Sequence, residues 1–96
     1  MTTIQLIEKA NELADKRHQA TRPYVSERGF ITNSEAYQQA EANNPVEAEY
    51  NNVICQSTLF VSHTGNQAHY QNRFYFRKPN GKRTNFSKAK AKEILG

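Results

Sequence analysis

The chain reads as an α+β domain: two N-terminal helices, a three-stranded antiparallel β-meander and a short C-terminal helix, in a single domain over residues 1–96. Three observations predict this. Apolar residues near the N-terminus recur at three- and four-residue spacing, the period of a helix face. From residue 53 the composition turns to β-branched and aromatic residues, which suit strands. Tight turn signals separate those runs, and strands joined by tight turns pair antiparallel.

The elements follow in order. Thr2 and Gln5 fit a capping box, in which each side chain satisfies a free backbone N–H at a helix start. Leu6, Ile7, Ala10, Leu13 and Ala14 then share one face, and Glu12 and Lys16 stand at i,i+4. The spacing predicts a helix over 3–19, ended by Pro23 and the extended geometry it imposes on Arg22. Residues 20–32 connect, with a short extended piece near Phe30 and Ile31. Thr32 and Glu35 form a second capping-box pattern for a helix that starts at Asn33 or Ser34 and stops at Asn43, Asn44 and Pro45.

Residues 53–63 read as a strand and Thr64-Gly65-Asn66-Gln67 as a turn. Residues 68–78 form the second strand, with Arg73, Tyr75 and Arg77 on one face and Phe74 and Phe76 on the other. At Lys78-Pro79-Asn80-Gly81 proline presets φ, and Asn and Gly tolerate positive φ, so the chain turns. Lys82 to Phe86 returns as the third strand, and Ser87 caps a last helix closed by Gly96.

With 96 residues there is room for one core, and 36% hydrophobic residues with a mean hydropathy of −0.89 make that core small. Partner binding or dimerisation would supplement it. Five Tyr and five Phe argue against disorder. The N-terminal stretch is charged and amphipathic, without an apolar run of signal-peptide or membrane-spanning length, so a soluble cytoplasmic protein with no membrane partner is expected.

Charge is unevenly placed. The net +4 combines five Lys/Arg against eight Asp/Glu in residues 1–72 with eight Lys/Arg against one Asp/Glu in residues 73–96. A positive end of this kind attracts polyanions at long range and is screened by salt. The same distribution also suits a solvated, lysine-rich tail.

Most enzyme chemistries find no pattern. His18, His63, His69 and Cys55 are the candidate metal ligands, and their spacing matches no metal motif. Cys55 is the sole cysteine, so no intrachain disulfide forms, and beside Val53 and Ile54 it reads as a small buried hydrophobe. The glycines stand singly and form no phosphate-cradling loop. Glu47 and Glu49 sit together with no polar site expected around them. The expectation is a protein without catalysis and without cofactors.

The basic hairpin is the better candidate. Arg73, Tyr75 and Arg77 share the open face, followed by Lys78, Lys82, Arg83 and, on the last helix, Lys88. Arginine there can fork onto phosphate and Tyr75 can stack on a base. Against this stands the plain alternative that Arg and Lys on a sheet discourage edge-to-edge pairing.

The closing run RFYFRKPNGKRTNFSKAKAKEIL, in so small a chain, resembles the phage-encoded anti-CRISPR inhibitors in style, without a diagnostic motif. The resemblance implies a non-enzymatic inhibitor in a bacterial host cytoplasm, docking on CRISPR effector subunits and guide RNA and blocking target DNA. Many such inhibitors are acidic DNA mimics, and this chain departs from them with its positive end, which would meet guide RNA or acidic protein surface. A small DNA- or RNA-binding accessory protein is the alternative.

Overall fold

The computed structural model describes residues 1–61 and 67–96. Helix α1 (Thr3–Thr21) starts at its expected cap: the Thr2 hydroxyl accepts the Gln5 N–H at 3.3 Å, and the Gln5 side chain accepts the Thr2 N–H at 2.9 Å. It runs to Thr21 because Pro23 lies within the 3-10 turn Arg22–Tyr24 that follows, where a missing N–H does no harm. The extended piece near Phe30 is a single bridge, Val25 to Ile31, closed through Gly29 at φ +87°.

Helix α2 (Ser34–Asn43) is capped by Asn33, whose side chain accepts the Ala36 N–H at 3.2 Å. The expected cap, Thr32, is drawn off into the preceding loop, where its N–H donates to the Tyr24 carbonyl at 2.9 Å. Arg17 of α1 and Glu41 of α2 tie the two helices with an ion pair.

Among the described residues the sheet has four strands, where the sequence predicts three. β1 (Glu47–Tyr50) and β2 (Val53–Val61) are joined by Asn51 and Asn52, at φ 50° and 64°, a two-residue turn of the kind that matches strand twist. β3 (Ala68–Arg77) pairs with β2 from Val53–Phe76 to Val61–Ala68, and β4 (Arg83–Phe86) pairs with β3 from Phe74–Phe86 to Arg77–Arg83. All pairs are antiparallel and the order is β1-β2-β3-β4. The Lys78–Gly81 turn closes as expected, with the Gly81 N–H on the Lys78 carbonyl and Gly81 at φ +81°. Of the turn expected at 64–67, residues 64–66 lie outside the described residues, as does His63.

Alternation sorts the sheet into two faces. The inner face carries Ala48, Val53, Cys55 and Phe74, which pack with Leu6 and Ala10 of α1. Burying Leu6 fully is worth roughly 1.5–3 kcal/mol against leaving it in water. Two polar ties fix α1 beneath the strands: the Ser57 hydroxyl donates to Asn11 Oδ1 at 2.8 Å, and the Tyr70 hydroxyl donates to Asp15. α3 (Lys88–Leu95) is capped by Ser87, which accepts the Lys90 N–H at 3.2 Å, and it buries Ala91 in the core. Among the described residues no helix is long and apolar enough to cross a membrane.

Candidate functional site: the basic outer face and an adjoining cleft

Arg73, Tyr75 and Arg77 lie on the outer face of β3, as alternation predicts, and Arg83 joins them as the β4 partner of Arg77. The expected role of Tyr75 is overturned. Its residue is 1% exposed, so its ring offers no platform for an incoming base. The Arg83 guanidinium lies 4.4 Å from the ring centroid, a cation–π contact, and the Tyr75 hydroxyl donates to Glu47. Its cross-strand neighbour Ile54 is equally buried, so a small second cluster sits on this face. Burial, and then the bond to Glu47, push the Tyr75 phenol up from its ordinary value.

Glu47 organises the surface, and the expectation that it stands without polar surroundings is corrected. Besides Tyr75 it takes Arg77 Nη2 at 2.7 Å and faces Arg83 Nη2 at 3.6 Å. Arg83 also donates to Gln56 Oε1 at 3.2 Å. β1 brings the carboxylate here, because Glu47 pairs with Gln56 and thus points to the same side as Arg73 and Tyr75. Hydrogen bonding to Tyr75 and the charge of Glu47 raise the Arg77 guanidinium further. Two of the candidate binding arginines are therefore already engaged within the fold.

The other candidates are not. The side chains of Arg73, Lys78, Lys82 and Lys88 are exposed and make no ion pair among the described residues. Lys78 and Lys82 leave the two ends of one turn, joined through the Lys78 N–H and the Lys82 carbonyl at 2.9 Å.

At the other end of β4, where the chain turns into α3, a cleft of about 430 Å³ opens. Ile7, Phe74 and Phe86 supply its apolar lining, Asn72 and Asn85 its amides, and Arg73 and Lys88 its charge. Phe86 is held against Phe76, with ring centroids 4.9 Å apart, so the wall it contributes is braced. The sequence reading named Arg73 and Lys88 but not the two asparagines, which carry no motif.

The other candidate chemistry is dispersed. His18 belongs to the last turn of α1, and His69 on the outer face of β3 meets Gln67 at 3.3 Å. Among the described residues no three His, Cys, Asp or Glu side chains gather as metal ligands. Cys55 is buried, and burial pushes its thiol up to about 11, away from the thiolate a nucleophile needs.

By architecture, then, the chain is an α+β protein whose four-stranded antiparallel meander is backed by helices on one face. No protein-family model, no curated protein and no solved structure matches it.

Proposed function

We propose that this protein is a non-enzymatic inhibitor that docks on a bacterial ribonucleoprotein of the CRISPR effector class through its basic β3–β4–α3 end and blocks target DNA. One observation carries the reading: Arg73, Lys78, Lys82 and Lys88 are exposed, without ion-pair partners among the described residues, and all belong to the β3–β4–α3 segment. Unpaired cations on one segment favour encounter with an anionic surface and make it salt-dependent. Arg77 and Arg83 lie on the same outer face as Arg73, held by Glu47.

The test is target-DNA binding by purified effector complexes with and without the protein, paired with co-purification from lysate before and after nuclease treatment. Wild type should abolish DNA binding by the complex it retains. The combined change of Arg73, Lys78, Lys82 and Lys88 to Ala should fold normally, because exposed substitutions of this kind usually cost within about 0.5 kcal/mol each, and should lose the inhibition. Full inhibition by that variant would refute the reading. Tight, salt-dependent binding to bare duplex DNA, or to bare single-stranded RNA with no inhibition of any effector complex, would favour the accessory-protein alternative.

A further inference from the structure

The cleft beside Arg73 is a different kind of feature from the charged surface around it. A surface of lysines attracts any polyanion, whereas this cleft combines two cationic side chains with an apolar lining and two carboxamides. Its volume of about 430 Å³ falls in the range of small-ligand sites, large enough for one nucleotide and far too small for a base pair with its backbones. The amides narrow the chemistry further. Asn85 makes no side-chain hydrogen bond among the described residues, and Asn72 uses only its oxygen, toward the Cys55 thiol at 3.7 Å. The Asn72 amide N–H groups and both ends of Asn85 remain available, so the cleft presents donors and acceptors together. A base edge requires both, and a carboxylate would use donors alone.

We infer that the cleft binds one unpaired nucleotide of a nucleic-acid single strand. Arg73 and Lys88 take the flanking phosphate, Asn72 and Asn85 meet the base edge, and Ile7 and Phe86 support the ring. This deepens the proposed function, on which it rests, by naming an unpaired strand as the part of the ribonucleoprotein that the basic end grips. It also reassigns the base-binding role that burial removes from Tyr75.

The experiment is a titration of the ¹⁵N-labelled full chain with an eight-nucleotide oligoadenylate as RNA, the same oligomer as DNA, and a short duplex. Saturable shifts of the Asn72, Arg73, Asn85 and Lys88 amides with a single strand, and not with the duplex, are expected; the RNA and DNA arms identify which strand is preferred. Changing Arg73 and Lys88 together to Ala should weaken binding roughly tenfold or more, since charge-assisted contacts are the strong ones, and Lys78 and Lys82 to Ala together less than threefold. Shifts confined to the Lys78–Arg83 turn, or equal shifts with duplex, would overturn the cleft while leaving the basic-surface reading intact. Absence of binding to every oligomer overturns the inference too, and inhibition of an effector complex in the assay above then decides the proposed function separately.

Discussion

Glu47 is the residue whose removal should be felt most on the candidate surface. In Glu47→Ala the Tyr75 hydroxyl loses its acceptor while the residue stays 1% exposed, and an unpaired buried phenol costs about 1–3 kcal/mol. Arg83 loses a half-exposed ion pair worth about 0–1 kcal/mol, keeping its contacts to Gln56 and the Tyr75 ring. The sum is a destabilisation of about 1–4 kcal/mol, which lowers Tm by roughly 4–30 °C at 4–8 °C per kcal/mol for a domain of this size. Thermal and urea unfolding followed by circular dichroism read it directly. The decisive comparison is a double-mutant cycle: in a Tyr75→Phe background there is no hydroxyl to orphan, so Glu47→Ala should cost at least about 1 kcal/mol less. Equal cost in both backgrounds, or a loss below about 0.5 kcal/mol in the first, would refute the role assigned to Glu47.

Two other outcomes are expected. Leu6→Ala opens a hole at the centre of the α1–sheet contact, where Leu6 is fully buried, and should cost about 2–5 kcal/mol by urea unfolding; a loss under about 1 kcal/mol would show that the site collapses without strain. Cys55 ties stability to alkaline pH. Its thiol stands at about 11 in the fold against an ordinary 9.0, so the neutral form is favoured when folded. That contribution is complete below pH 9 and is lost as pH rises through 11. Wild type should therefore lose more stability than Cys55→Ala across this window, and parallel profiles would contradict it; the native thiol should also resist Ellman's reagent at pH 8 until denaturant is added.

Local signals were mostly legible where a residue's role depends on its neighbours in sequence, the Thr32–Glu35 box excepted, since Asn33 caps α2. The Thr2–Gln5 box, the Ser87 cap and the Lys78–Gly81 turn are satisfied by groups within four residues, and they appear as read. β1 was not legible because Glu47-Ala48-Glu49-Tyr50 has weak strand preference of its own; its partner β2 and the Asn51–Asn52 turn impose the geometry. Everything misread about the site follows from that one strand. Alternation placed Tyr75 on the correct face, but the acceptor of its hydroxyl, Glu47, stands 28 residues away and reaches it only through β1. Arg77 and Arg83 looked like free anchors for the same reason. The cleft depends on Ile7 of α1 meeting the end of β4, a contact that no local pattern announces.

The strand order β1-β2-β3-β4 has a consequence for how the chain reaches this structure. Each strand pairs with its neighbours in sequence, so the meander can zip from its hairpins without closing a long loop. The costly closure is left to α1: its tie between Asn11 and Ser57 spans 46 residues, and the one between Asp15 and Tyr70 spans 55. We expect the docking of α1 onto the nascent sheet to limit folding, so that truncating Leu6 slows refolding more than changes in the strand turns do, which stopped-flow refolding reads.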